Sequence, residues 1–420
     1  MRASRMRICF VVENYPTVTE TFVYEAVDWL ERAGHRVSVV ATEREGLPGD
    51  DGFKPACRTL DAQGRRNVIV RSLLTQPWAT ASTVVRLRGI RRHRQFWFSY
   101  VLAGALLEEV RLADVVVAHF GPTGQDWLPV AYLTQRRFAV YFHGYDVGAV
   151  LHRDPDAYAD LFASGAALLT NSEYMRGRLR DAGAPEERLA VVRLGVHPGL
   201  AETSSRSAVG GRLLTIARLV PKKGIEDSIR AFAAARPHLG PEWSYHIVGD
   251  GPLRLSLERL VKREGLESCV RFCGFLPRSD TLMALREASL FVLASKIDET
   301  GDTEGTPVAL IEAATLGIPV VATRHAGIPE VLPPDALARG FLVPEGDVPT
   351  LSSALARLGS SEVTRADWGA ACARHARATH SASAFTAALV ATLEAKARVP
   401  CLVERGPTRV DAGSPPHSDR

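Results

Sequence analysis

The sequence predicts an α/β protein built from two doubly wound, Rossmann-like domains that face each other across a cleft. Its 420 residues are too many for one ordinary core. Short continuous apolar runs alternate with helix-like patterns, the mark of parallel strands buried on both faces. The alternation breaks once, at 199–211 (GLAETSSRSAVGG), and then restarts.

In order, RICFVV (7–12) reads as a strand, TETFVYEAVDWLERAG (19–34) as an amphipathic helix closed by Gly34, and HRVSVVA (35–41) as the next strand. Residues 42–67 are rich in Gly, Asp and Arg and read as loop. Strands follow at 113–120, 138–144, 166–172 and 188–196, with a helix near 125–135. These make an N-terminal domain over 1–198. Past the linker at 199–211, strands at 212–218, 244–251, 270–275, 290–295 and 318–323 make a second domain over 212–380. A last helix is expected near 382–398, and 399–420 (with GSPPHSDR) reads as a disordered tail. Ligands of such sheets bind outside the strands' carboxyl ends.

Composition narrows the class. The chain is 46% apolar and 23% charged, and no apolar run reaches the roughly 18 residues of a membrane span. RMRICFVVENYP has only about five apolar residues before Glu13, which suits a buried strand rather than a signal-peptide core. Six scattered cysteines, with Cys269 and Cys273 at no metal-ligand spacing, fit a reduced cytoplasmic protein. Net charge is +4, and the uneven part is RLRGIRRHR (86–94) with five arginines. That run is either a solvated helix face or a peripheral contact with an anionic membrane, at the inner face, or an acidic acceptor. Nucleic acid is not expected, since no recognition helix or stacking-aromatic motif accompanies the charge.

The informative stretch is GDTEGTPVALIEA (301–313), with Glu304 and Glu312 eight positions apart. Eight helical residues turn roughly 800°, which sets two such side chains about 80° apart. Thr306 suits an N-cap and Pro307 a first helical position, so Glu304 belongs to the incoming loop and Glu312 to the helix flank. A diphosphate at that helix start would meet free amides of Gly305 and Thr306, with no Cβ on Gly305 to obstruct it. A ribose beyond it would reach Glu312, and a sugar on the other side would reach Glu304. A nucleoside-diphosphate sugar fits. Two carboxylates beside a diphosphate need cations, and ARLVPKKG (217–224) supplies Arg218 and Lys223, with Lys222 adjacent. A leaving diphosphate gains negative charge, so these cations count most in the transition state. The glycine-containing turns VGDGP (248–252) and FCGFLP (272–277), with Gly251 and Phe275, would read the flat base edge.

ARLVPKKG, VGDGPLR, GFLPRSD and DTEGTPVALIEAATLGIPVVATRHAGIPE resemble successive signatures of the retaining, GT-B-fold glycosyltransferases of family 4, a resemblance covering about residues 7–395. It implies that Arg218 and Lys223 bind the donor diphosphate, Glu312 the ribose and Glu304 the donor sugar. Backbone amides after Glu304 would meet the phosphates, and a late helix (381–398) would cross back to the N-terminal domain.

On the other side of the cleft, AVYFHGYD (139–146) ends a strand with His143, Gly144 and Asp146. The resemblance places His143 near the donor sugar, with Asp146 orienting the loop on the acceptor side. His119, in AHFGPTG (118–124), either shapes the acceptor pocket or is structural. Many members of the family have a Gly-rich first loop, whereas this chain has ENYPTVTETFVYE (13–25). Thr19, Glu20 and Thr21 there resemble the Ser-Glu-Thr-Phe variant of exopolysaccharide-assembling relatives. They either hold a polar acceptor or cap the helix.

No carboxylate is placed as a covalent nucleophile, so front-face substitution with retained configuration is expected by resemblance. No cofactor or metal is called for: Arg218 and Lys223 supply charge, and Asp154 and Asp156 of DPD read as cap residues. The catalytic set is His143, Glu304, Arg218 and Lys223. UDP-N-acetylglucosamine is the first choice of donor, and the acceptor is a lipid-linked glycan or a soluble aminocyclitol of antibiotic assembly. The Arg- and Ala-rich, Lys-poor composition suits a high-GC bacterium, where both occur. A dinucleotide oxidoreductase would need Gly-x-Gly-x-x-Gly after the first strand, and VVENYPTVTE has no glycine. A nucleotide-sugar epimerase of the same shape and a noncatalytic sugar-nucleotide binder stay open as alternatives.

Overall fold

The computed structural model describes residues 5–15, 17, 20–43, 57–88, 95–197, 199–200 and 210–401, with backbone alone at 62, 79, 85–88 and 95–100. The first sheet comprises β1 (Arg7–Asn14), β2 (Arg36–Glu43), β3 (Cys57–Thr59), β4 (Val115–His119), β5 (Arg137–Phe142), β6 (Ala167–Thr170) and β7 (Leu189–Val191). The second comprises β8 (Arg212–Ile216), β9 (Ser244–Val248), β10 (Val270–Gly274), β11 (Leu290–Leu293), β12 (Val320–Thr323) and β13 (Leu342–Val343). Their orders are β3-β2-β1-β4-β5-β6-β7 and β10-β9-β8-β11-β12-β13, and all the strand pairs are parallel. Each order reverses beside its first strand, which opens a crevice at the carboxyl ends of β1 and β4 and of β8 and β11. Central strands such as β4 and β6 are buried at every residue, as continuous apolar runs require when helices cover both faces.

The expected loop over 42–67 is corrected in its second half. Residues 57–59 pair with β2, and Asp61 starts the helix Ala62–Thr75, its carboxylate accepting from the Gly64 amide at 2.6 Å. A lone Asp before a weakly amphipathic segment hid that start. The aspartates of DPD do not start a helix: Asp154 closes the short helix Leu151–Arg153 and accepts from the Asp156 amide at 3.1 Å, and Tyr158 is the N-cap of the next helix.

The helix Ala382–Lys396 lies against the first sheet's layer. Its Phe385 ring is 5.6 Å from Trp29, and Arg137 donates to the carbonyls of Glu394 at 2.9 Å and Ala397 at 3.0 Å. Cys401, within the expected tail, donates its amide to Ser164 at 2.8 Å. Residues 402–420 and most of the linker, 201–209, lie outside the described residues.

Candidate active site

The chain leaving β8 makes a 3-10 turn, Pro221–Lys223, and then enters the helix Ile225–Ala235 through Gly224. Gly224 has φ +59°, and a Cβ there would fall 1.8 Å from the Ala294 carbonyl oxygen, so the tight passage needs glycine. This passage carries two lysines over the end of β11. Lys222 Nζ sits 2.9 Å from Asp302 and donates to the Thr303 carbonyl at 3.1 Å. Lys223 Nζ sits 2.5 Å from Glu304. Arg218, by contrast, is exposed and makes no ion pair among the described residues.

Glu304 is only 6% exposed. The Ser295 hydroxyl donates to its Oε1 at 3.0 Å, and its amide donates to His325 Nε2 at 3.1 Å. The His325 ring proton therefore faces Glu345 from Nδ1, at 2.7 Å. Burial pushes the Glu304 carboxyl upward, but Lys223 and Lys222 outweigh it and hold it at about 2. Burial in turn draws the Lys223 ammonium down while Glu304 holds it up. The carboxylate is thus fully ionised at neutral pH.

The helix begins one residue later than Thr306 and Pro307 suggest: Pro307 is the N-cap and the helix is Val308–Thr315. Thr306 does not cap because its hydroxyl turns to Asn171, 3.3 Å from Oδ1. The amides of Gly305 and Thr306 donate no hydrogen bond among the described residues. Glu312 lies on the buried flank, 2% exposed, with Arg278 Nη2 2.5 Å from its carboxylate.

Across the cleft, β5 ends beside His143. Asp146 is wholly buried, and its oxygens accept the amides of Gly144 at 2.8 Å, His143 at 3.0 Å, Gly121 at 3.0 Å and Val147 at 3.1 Å. Asp146 therefore braces this loop. His119, 1% exposed, stands behind His143 rather than lining a pocket, with its Nδ1 3.1 Å from His143 Nε2. Phe22, Phe120 and Tyr141 surround the His143 ring at 4.4, 4.7 and 4.5 Å between centroids. Burial lowers His119 to about 3 and takes His143 well below its ordinary value, with His119 adding to the latter shift. Both rings are neutral hydrogen-bonding groups.

The two sides touch here. A Cβ on Gly305 would lie 1.7 Å from the His143 carbonyl oxygen, and one on Gly144 2.6 Å from the Gly305 nitrogen. Asn171 donates to the His143 carbonyl at 3.3 Å while meeting Thr306, so one side chain ties both loops.

Among the remaining expected residues, Gly251 serves loop packing, since a Cβ there would fall 2.6 Å from the Leu219 carbonyl oxygen. Phe275 is 48% exposed at the turn after β10. Glu20, not Thr19 or Thr21, holds the N-cap position of the helix Thr21–Arg32, without a side-chain cap bond. Thr19 lies outside the described residues, as do 89–94 of the basic run. No described helix is long and apolar enough to cross a membrane. Sequence reading missed Asn171, His325, Arg278 and Glu25. His325 and Arg278 stood inside quoted motifs, but no local signal marks any of the four partnerships.

The family model described as Glycosyltransferase Family 4 matches residues 19–200, and that described as Glycosyl transferases group 1 matches residues 210–375. The chain is 32% identical over 368 residues to the putative colanic acid biosynthesis glycosyltransferase WcaL of Salmonella typhimurium, covering 84% of this chain and 90% of that one. It is 30% identical over 382 residues to the amylovoran biosynthesis glycosyltransferase AmsK of Erwinia amylovora, covering 85% and 91%. Anabaena HepE in complex with UDP-glucose shares the fold, with a TM-score of 0.66 at 17% identity over 93% of this chain and 100% of that one. Two facing parallel sheets of the GT-B kind, with both halves matched, make this chain a member of the family 4 glycosyltransferases.

Proposed function

We propose that this glycosyltransferase moves a hexose or N-acetylhexosamine from a nucleoside diphosphate to a hydroxyl of a glycan or lipid-linked acceptor during exopolysaccharide assembly. UDP-N-acetylglucosamine is the first candidate donor. One observation carries the reading: the ion pair of Lys223 with the buried Glu304 stands beside amides of Gly305 and Thr306 that donate to nothing among the described residues, at a helix start whose flank bears Glu312. The helix dipole and those amides favour the diphosphate. Arg218, which pairs with no carboxylate among the described residues, would bind it bidentately. Glu304 accepts from donor-sugar hydroxyls, and His143 approaches the sugar from the opposite side.

Transfer then proceeds on the front face. The bond from the anomeric carbon to the diphosphate breaks, and the leaving oxygen takes the acceptor's proton. The acceptor oxygen bonds on the same face, so configuration is retained. Arg218 and Lys223 stabilise the growing charge, and no metal is required. The names of the WcaL and AmsK relatives support the exopolysaccharide class, and the UDP-glucose bound to HepE supports a uridine donor.

A panel of UDP- and GDP-sugars, read by thermal stabilisation and then by sugar transfer with and without EDTA, tests this reading. Stabilisation by a UDP-sugar and EDTA-insensitive transfer are expected; stabilisation by GDP-sugars alone overturns the donor, and loss with EDTA overturns the metal-free mechanism. Membrane contact through 86–94 belongs to the same reading. Between Arg58 and Arg94 nine arginines face one acid, Asp61, and Leu74 and Trp78 stand 80% and 87% exposed on the helices leading there. Cosedimentation with anionic but not neutral vesicles is its expected result.

A further inference from the structure

Arg278 opens the helix Arg278–Glu287, just beyond β10, and its guanidinium lies between carboxylates of different domains. Nη2 is 2.5 Å from Glu312 Oε1 and 3.3 Å from Glu25 Oε1. Glu312 is 2% exposed, and Glu25, on the helix Thr21–Arg32, is 5% exposed. One permanent positive charge thus serves two carboxylates that water barely reaches. It can neutralise only one. The closer is Glu312. Burial pushes Glu25 up to about 8, with Arg278 opposing and Glu312 and Asp28 adding to the rise. The cluster thus sets the Arg278–Glu312 contact beside a Glu25 carboxyl whose Oε2 is buried without a hydrogen-bond partner among the described residues.

We propose that Arg278 is a positioning residue for nucleotide binding: it holds the Glu312 carboxylate in place and anchors it to Glu25 of the facing domain. This rests on the reading that Glu312 receives the ribose. A carboxylate that loses its guanidinium loses the contact that fixes its oxygens, and a misplaced one no longer accepts from two hydroxyls. Arg278 so couples the meeting of the two domains to the placement of the ribose anchor. Glu25 fixes the guanidinium from the other side, and without it Arg278 is free to leave the cleft for solvent.

Calorimetric titration of the full chain at pH 7 with UDP and with inorganic pyrophosphate tests this, because pyrophosphate carries no ribose. Arg278→Ala is expected to weaken UDP by about tenfold to a hundredfold and to leave pyrophosphate unchanged. Glu312→Gln should do the same, and the double variant should be no weaker than either single one. Glu25→Ala should weaken UDP in the same direction, by about threefold to tenfold. Arg278→Lys guards against a folding failure: its charge keeps the melting temperature, yet one ammonium cannot span both carboxylates, so UDP still weakens. Unchanged or tighter UDP binding in Arg278→Ala overturns the proposal, as does a loss that adds fully to that of Glu312→Gln, which would put Arg278 on the nucleotide itself. If Glu312→Gln alone leaves UDP unchanged, the ribose assignment fails first and the role of Arg278 falls with it.

Discussion

Glu304 on one side of the cleft, and His119 and His143 on the other, are all nearly closed to solvent, yet burial has opposite outcomes for them. Glu304 keeps its charge because Lys223 lies 2.5 Å away, with Lys222 nearby. The histidines meet aromatic rings and each other, and burial keeps protons off both. Burial alone therefore does not decide protonation; the partner does. The result is a cleft with one side rich in fixed charge and one side that offers uncharged hydrogen-bonding groups, the division that the proposed diphosphate and sugar would use. Arg218 marks the division of labour within the charged side, since the lysines are held by carboxylates and it is not.

That contrast breaks most visibly at Lys223. Lys223→Ala leaves Glu304 buried without its ammonium, and a loss of about 3–5 kcal/mol in stability is expected by urea unfolding, along with nearly all turnover. Arg218→Ala should instead stay within about 0.5 kcal/mol of wild type while turnover falls about a hundredfold to a thousandfold. Equal stability losses in the two variants would erase the distinction between the paired and the free cation.

The histidine side is sharpened by acid. The folded value of His119, about 3, lies below its ordinary value of 6.5, so the unfolded chain binds the proton first. Its contribution to stability is full above pH 6.5 and is lost as pH falls toward 3, by about 1 kcal/mol per pH unit. His119→Gln removes that contribution, so the gap between wild type and variant should narrow from pH 7 to pH 4.5 in urea unfolding. Parallel curves would mean that His119 is not held neutral in the fold.

The strand alternation made the fold legible, because parallel strands buried on both faces leave an unmistakable pattern of apolar runs. The charged side of the site was legible too, since Lys223, Glu304 and Glu312 lie in short segments whose helix and turn grammar is local. What stayed hidden is long range. Arg278 and Glu25 are 253 positions apart, and Asn171 and Thr306 are 135 apart. Nothing in either segment announces the other. The one-residue error at the helix start has the same origin: Thr306 is a fair cap by type, but a residue of the other domain claimed its hydroxyl. His119 was left open between a pocket and a structural role because a strand's carboxyl end was visible, whereas the rings stacked in front of it were not.

The chain passes between the domains twice, and the passages are stitched together. Val196 donates its amide to the His380 carbonyl at 3.0 Å, and His380 Nδ1 is 2.8 Å from the Leu194 carbonyl oxygen. Two tethers fastened side by side act as the pins of one hinge, so the lobes cannot slide or twist independently. On the proposed reading, a donor entering where Gly305 meets His143 would need that seam to part, and adjacent tethers favour a swing about their line as the way to part it.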